Sequence, residues 1–443
     1  MSESDPVFRR LQLAGWRQFA FIDIRFHSNL TVLTGANGVG KSTILNILAA
    51  QLGVDRPYLS VPKRDEDGGF FYWIGRLASP QWWGGILSGW SKKPKNVVGE
   101  ISYSDGTVSD LKVPDSVKAS YQLDFKPARR INGFAIGSHR PLPAYQPIPH
   151  LPLRGIEPEE AYASFLGEAV ASYIGEHPDD IYSRKPKRSL IFEIKSALAA
   201  WAAFGEGNSV FQANLRQKKA YSGFVEALRK ILPSDLGFID LSIRPPDVVM
   251  VTKSGEFLID AASGGIATLI ELTALIYGCS IRREMYGKRF VVTIDEPENH
   301  LHPSLQRTLF IKLINAFPQV QFVVATHSPF IVSALKESNV YVLRFENIDN
   351  AIDITETSRV VSVQLDYINR AGTATEILRD VLGVQTTLPQ WVEADLNRIV
   401  SKFETRQIDE STLAQLKDEL KSAGLGELFP EALIGLTRAT QRP

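Results

Sequence analysis

The chain is 443 residues long, more than one hydrophobic core ordinarily grows to fill, so one elaborated domain or two to three units are expected. Lysine plus arginine number 49, as do aspartate plus glutamate, so net charge provides no general attraction to nucleic acid or to an anionic membrane, and any such contact must be local. No apolar run reaches the roughly eighteen residues of a membrane-spanning helix, the opening MSESDPVFRR has no signal-peptide pattern, and Cys279 is the single cysteine. The expectation is a cytoplasmic protein with no membrane partner, no internal disulfide and no cysteine-based zinc site.

Residues 7–34 alternate apolar and polar side chains in three short runs, the pattern of strands, and end in a glycine-rich loop. The segment STILNILAAQL then has apolar residues at helical spacing, giving strand, loop, helix. Between about 96 and 137 the strand pattern returns, with a hairpin predicted around Ser104-Asp105-Gly106. From 157 to 235 the period becomes helical, so this stretch reads as an inserted helical subdomain. Strands resume at DLSIRPPDVVMVTKSGEFLID, followed by the helix IATLIELTALIYGCSI, the buried strand RFVVTID, the helix PSLQRTLFIKLINAF and the buried strand VQFVVATHS. That alternation is the signature of a parallel sheet covered on both faces. Residues 346–443 read as a helical C-terminal region. The expected organisation is therefore 1–156, the 157–235 insertion, 236–345, and 346–443.

Three motifs carry chemistry. Gly35-Ala36-Asn37-Gly38-Val39-Gly40-Lys41-Ser42-Thr43 fits GxxxxGK[ST] in full. Its glycines let backbone N–H groups turn inward around phosphates at the start of a helix, with Lys41 placed for the β and γ oxygens of ATP and Ser42 for Mg2+. The apolar run ending in Asp295-Glu296 puts two carboxylates at the end of a buried strand, where parallel sheets bind ligands; Asp295 suits the Mg2+ shell and Glu296 the general base that polarises water. Ser263-Gly264-Gly265 lies between a strand and a helix, an arrangement that makes a second anion-binding nest.

The run Asp295-Glu296-Pro297-Glu298-Asn299-His300-Leu301-His302-Pro303, followed by Thr326-His327-Ser328-Pro329, resembles the ABC ATPases of the RecF, SMC and OLD branch, especially stand-alone bacterial AAA-type ATPases. The resemblance implies an α/β fold: an ABC ATPase head with a mixed sheet around the P-loop, an antiparallel β subdomain, a helical insertion and a helical tail. It implies a nucleotide-dependent homodimer in which Ser263, Gly264 and Gly265, the signature loop, complete the ATP site of the facing copy. It also implies that His327 senses the γ-phosphate and attacking water. The loop departs from the usual LSGGQ or LSSGE by Ala261-Ala262 before the serine and Ile266-Ala267 after the glycines. His300 and His302 fall in the dimer-contacting stretch, against the alternative of a metal site. Gln146 is read either as the Q-loop residue or as a surface glutamine; Arg140 and Arg17 are read either as phosphate or coupling residues or as solvated arginines.

The load on this engine is less legible. After YVLRF, Glu346 and Asp349 stand without a later acidic pair, so no Toprim nuclease is expected in the chain. The resemblance therefore implies an ATP-hydrolysing switch of a bacterial defence or DNA-maintenance system that controls a separate effector, as in Septu-type and PARIS-type anti-phage systems. The alternative is a RecF-like DNA-repair clamp, to which basic runs at 92–95, 184–188 and 216–219 would contribute phosphate contacts.

Overall fold

A computed structural model describes residues 5–64, 68–74, 94, 96–114, 118–150, 154–174, 188–207, 212–347, 358–366, 372–382, 388–403, 409–430, 432–433 and 436. Lys92, Lys93, Lys95, residues 184–187 and Asp349 lie outside that set. The chain divides into two units, residues 1–383 and 384–443.

In the first unit, strands β1 (Phe8–Trp16), β2 (Phe19–Arg25) and β3 (Leu30–Gly35) lead into helix α1 (Lys41–Gln51). Two small ladders follow, β4 (Tyr58–Leu59) with β9 (Ser120–Tyr121) and β5 (Val61–Arg64) with β6 (Phe70–Trp73). Strands β7 (Val97–Tyr103) and β8 (Val108–Lys112) form the hairpin expected around Asp105, and β10 (Asp124–Lys126) and β11 (Gly133–Ile136) succeed them. Helices α2 (Pro158–Ile174), α3 (Leu190–Gly205) and α4 (Leu215–Ile231) precede a meander, β12 (Phe238–Arg244), β13 (Asp247–Thr252) and β14 (Gly255–Leu258). Then come α5 (Gly264–Ser280), β15 (Phe290–Asp295), α6 (Pro303–Ala316), β16 (Val320–Ala325), the short α7 (Pro329–Val332), β17 (Asn339–Asn347) and β18 (Ser358–Gln364).

Eleven strands make one mixed sheet in the order β10-β8-β7-β1-β2-β18-β17-β3-β16-β15-β11. The antiparallel patch expected within residues 1–156 is continuous with the main sheet, joined through β1 and β2. Strands β17, β3, β16, β15 and β11 run parallel. Their apolar side chains sort by period two onto two faces: Val32, Val292 and Val324 enter the core beneath α2–α6, whereas Leu33, Val291 and Val323 enter the core beneath α1. Burial on both faces explains why these strands read as continuous apolar runs rather than as alternating ones.

Two expectations are corrected. Helices α2, α3 and α4 have no core of their own; Phe165, Leu198 and Phe224 share one cluster with α5, α6 and the sheet. Helical period predicted the elements, but their closing partners are distant in sequence. Residues 346–443 are not uniformly helical, since Ser358–Gln364 forms β18, antiparallel to β17 and parallel to β2. Its sequence, SRVVSVQ, has three β-branched valines, but they do not alternate cleanly with polar residues, and its place in the sheet is set by pairing with β17 and β2.

The second unit contains α8 (Gln390–Ser401) and α9 (Glu410–Ser422), packed through Leu396, Ile399, Leu416 and Leu420. Among the described residues no helix is long and apolar enough to cross a membrane.

Gly133 opens β11 with φ 152°, and a Cβ there would lie 2.0 Å from the Val291 carbonyl oxygen of β15. Gly133→Ala is expected to cost at least about 2 kcal/mol through strain and lost pairing, read as a lowered midpoint in urea unfolding.

Candidate functional site

The P-loop turns at residues 36–40 between central strand β3 and α1. Gly35, Gly38 and Gly40 all have positive φ, at 137°, 81° and 91°. Two of them are also sterically obligatory, since a Cβ on Gly35 would sit 2.2 Å from the Leu343 carbonyl oxygen, and one on Gly40 would sit 2.3 Å from Gln18 Nε2 and 2.5 Å from the Phe19 ring. Ala36, Asn37 and Gly38 are exposed at the loop's crest, while Val39 is fully buried and anchors it in the core under α1. At the helix start, Lys41 is only 7% exposed, and its Nζ donates to the carbonyls of Gly35 and Ala36, both at 3.0 Å. Burial pulls the Lys41 ammonium down from the usual lysine range, opposed by Asp295, Glu296 and Glu298.

These acids come from the end of β15, which is separated from β3 by β16 alone. Burial raises the Asp295 carboxyl above the ordinary range, and the neighbouring Ser42 and the charge of Lys41 pull the other way. Ser42 and Asp295, both expected at the metal, are thus brought side by side across the sheet. Glu296 follows with φ 48°, a left-handed backbone that costs a non-glycine residue about 1–2 kcal/mol. Its conformation is held at both ends of the peptide: its N–H donates to the Ala325 carbonyl at 2.8 Å, and its carbonyl accepts from Arg140 Nη2. Asn299 Nδ2 donates to Glu296 Oε2 at 3.0 Å and to the Ser138 carbonyl at 2.9 Å, which orients the carboxylate.

The intervening strand β16 delivers His327. Thr34 Oγ1 donates to the Thr326 carbonyl at 2.9 Å, Thr326 Oγ1 accepts from the Ser328 N–H at 2.9 Å, and Ser328 caps α7 while donating to Gln306 Oε1 at 2.6 Å. Thr326 and Ser328 therefore each have a structural task that leaves the histidine in place between them. The His327 N–H donates to Glu298 Oε1 at 2.7 Å. Burial, and then Lys41, lower the His327 imidazole below the usual histidine range, against the opposing charges of Glu298 and Glu296. Lys41, Ser42, Asp295, Glu296 and His327 are therefore one constellation.

The remaining candidates fall elsewhere. Ser263 is exposed and precedes the first turn of α5 without a side-chain cap, in contrast to Ser189 and Asn214, whose oxygens cap α3 and α4. Gly264 and Gly265 lie against the 300 segment: a Cβ on Gly264 would meet Leu142 Cδ2 at 2.9 Å and His300 Cβ at 3.2 Å, and one on Gly265 the His300 carbonyl at 2.9 Å. His302 caps α6, its Nδ1 accepting from the Ser304 N–H at 3.3 Å, with Pro303 at the first helical position. His300 Nε2 lies 3.3 Å from the Arg140 carbonyl. Gln146 is worked into the junction with α3, its Oε1 accepting from the Ser189 N–H at 3.0 Å. Arg17 occupies the β1–β2 turn with φ 53°, donating to the Leu59 carbonyl at 3.1 Å and flanked by the Trp16 and Tyr58 rings.

Sequence reasoning gave no roles to Glu298 and Glu271, and left Arg140 undecided. Arg140 is 9% exposed; besides its bond to Glu296 its Nε and Nη1 have no hydrogen-bond partner among the described residues, and burial lowers it against the charges of Glu271, Glu298, Asp295 and Glu296. Glu271 is buried in α5, and burial pushes its carboxyl up to about 7, with Arg140 opposing. The available signal was one acid inside the otherwise apolar run IATLIELTALIYGCS.

The strand order, the phosphate loop and the acidic turn together have the arrangement of a P-loop nucleotide-binding domain. Residues 10–130 match the family described as "AAA domain", and residues 256–333 the family described as "AAA domain, putative AbiEii toxin, Type IV TA system". The chain is similar to "Retron Vc95 probable ATPase" of Vibrio cholerae serotype O1 biovar El Tor, 29% identical over 177 residues, covering 35% of this chain and 34% of that protein. It is likewise similar to "Septu protein PtuA" of Bacillus thuringiensis, 28% identical over 188 residues, covering 41% and 44%. The chain thus spans less than half the length of these curated relatives. Among solved structures, the "SMC head domain from Thermotoga maritima" aligns over 81% of this chain and 99% of its own, at 14% identity and a TM-score of 0.39.

A raised folded-state pKa means that the native protein holds its proton longer than the unfolded chain, so Glu271 weakens stability progressively as pH climbs from about 4.5 to about 7. Glu271→Gln, which cannot ionise, is expected to gain stability relative to the parent between pH 5 and pH 8, by an amount on the order of 2 kcal/mol. Thermal melts of both proteins across that range test it, and a stability difference independent of pH would contradict it.

Proposed function

We propose that this chain binds and hydrolyses ATP with Mg2+ as a nucleotide-clamped homodimer, and that it is the switch of a bacterial defence or DNA-maintenance system acting on a separate effector protein. The observation that carries the reading is the convergence of Lys41, Ser42, Asp295, Glu296 and His327 on one phosphate loop, in a chain similar to Retron and Septu proteins.

Each residue has a step it is fitted for. The N–H groups of residues 36–42 turn toward the β- and γ-phosphates, and Lys41 leaves its two carbonyls to neutralise them. Ser42 and Asp295, close enough for the serine to lower the carboxyl's proton affinity, suit a hard cation as an oxygen-ligand pair; bound there, Mg2+ would offset the charge developing on the phosphate oxygens. Glu296, with its carboxylate oriented by Asn299, takes the proton as water oxygen bonds to the γ-phosphorus and the bond to the ADP oxygen breaks, releasing phosphate. His327, kept neutral by burial and by Lys41, hydrogen-bonds the γ-phosphate or the attacking water. Ser263 and the first amides of α5 form an anion nest open to solvent, suited to the γ-phosphate held by a facing copy.

A clamp that itself holds DNA is supported less well, because Arg216 pairs with Glu157 and Glu159, and Lys218 with Glu206. These contacts leave fewer cations of the 216–219 run for phosphates. The working protein is soluble in the cytoplasm on this reading.

Glu296→Gln is expected to slow ATP turnover by at least about 100-fold while preserving ATP binding, so that an ATP-loaded dimer accumulates in size-exclusion chromatography with light scattering. Normal turnover by this variant would remove Glu296 from the role of base. Ser263→Arg should leave ATP binding to the separate subunit intact and abolish both dimer and turnover; a wild-type rate from it would refute the signature loop. Purified wild-type protein that binds DNA in an ATP-dependent, salt-sensitive way without any effector would favour the DNA clamp instead.

A further inference from the structure

The turn that carries the signature loop is fixed from behind by a buried charge. Lys195 lies on α3 with its side chain 0% exposed, and its Nζ reaches Asp260 Oδ2 at 2.5 Å and the Gln146 carbonyl at 2.8 Å, with Asp247 Oδ1 at 3.6 Å. Asp260 sits in the single turn Ile259–Ala261, three residues before Ser263. Gln146 closes the junction: its N–H donates to Asp260 Oδ1 at 3.4 Å, and its Oε1 accepts from the Ser189 N–H and hydroxyl at the start of α3. Gln146 belongs to the same loop as Arg140, whose guanidinium holds the Glu296 carbonyl. The loop after β11 therefore touches the acid turn through Arg140 and, six residues on, α3 and the turn ahead of Ser263 through Gln146.

Stability alone is a poor reason for such a pair. Removing an ammonium and a carboxylate from water costs several kcal/mol per ion, and apolar replacements of similar volume are often neutral or stabilising, so what a buried pair contributes best is a defined geometry.

We propose that Lys195 is a positioning residue for ATP hydrolysis: through Asp260 it fixes where Ser263 and the first turn of α5 are presented to the facing subunit's nucleotide, and so ties clamp closure to helix α3. Movement of α3, imposed by whatever docks on that helical layer, is transmitted to the signature loop by a short rigid link rather than through the P-loop. The proposal rests on the signature reading of Ser263.

The test uses the full chain with Lys195→Met and Asp260→Leu combined, which replaces the ion pair by apolar groups of similar size. The expected result is a melting temperature close to the parent's and ATP affinity of the separate subunit within about twofold. Against that background kcat should fall by at least about tenfold and ATP-dependent dimerisation should weaken. A merely structural pair would not separate these readouts, so a double variant with parental kcat and dimerisation overturns the proposal. Should the double variant fail to fold, Asp260→Ala, which removes the oxygens that meet Lys195 and the Gln146 N–H, carries the same comparison: lower kcat at unchanged ATP affinity supports the link, and parental kcat overturns it. Ser263→Arg is the control that separates the two failures. If it abolishes turnover while the Lys195 and Asp260 changes do not, only the link is wrong; if it too turns over normally, the signature reading itself has failed.

Discussion

The architecture depends on keeping one ammonium group in a place where water cannot serve it. Lys41 is nearly buried, and its charge is answered by two loop carbonyls and by a set of carboxylates delivered from another strand. An amine so placed would lose its proton or its position unless oxygen atoms surrounded it. The left-handed glycines that turn the carbonyls inward, the parallel strands that bring Asp295 and Glu296 level with the loop, and the burial of β3 on both faces all serve that requirement.

Strain and its support are arranged around the same point. Glu296 adopts a conformation ordinarily left to glycine, and the cost is met by hydrogen bonds to Ala325 and from Arg140 at either side of the residue. Among the described residues the arginine is itself incompletely hydrogen-bonded, and it feels the charge of Glu271 on the helix that begins at the proposed signature loop. A half-satisfied buried network of this kind is sensitive to small displacements, because low polarity around it strengthens both its attractions and its penalties. Such sensitivity suits a protein proposed to convert nucleotide state into a change of assembly.

The helical layer is part of that apparatus rather than an appendage. Because α2, α3 and α4 share their core with α5 and α6, they cannot shift as a free lobe without disturbing the helix that carries Ser263 at its start. The proposed output of the switch therefore has a short physical route, through packing and the Lys195–Asp260 pair, to the residues that meet the nucleotide.

Local chemistry was legible in the sequence wherever a residue type has one geometric use. GxxxxGK[ST] demands glycines at positive φ before a helix, and an apolar strand ending in Asp-Glu suits the ligand-binding end of a parallel sheet; residues 35–43 and 295–296 are built that way, while the reading of His327 came from the resemblance carried by residues 326–329. The sequence could not show what closes across hundreds of residues. Nothing local in SRVVSVQ reveals that Ser358–Gln364 completes the main sheet, nor in helix α3 that Lys195 finds Asp260, nor in HRPLPAYQ that Arg140 would clamp the acid turn while Gln146 locks α3. The order of residues sets backbone preference and hydrophobic period, which are local quantities; which buried charges meet is decided by the packing of distant segments, and only the tertiary structure contains it.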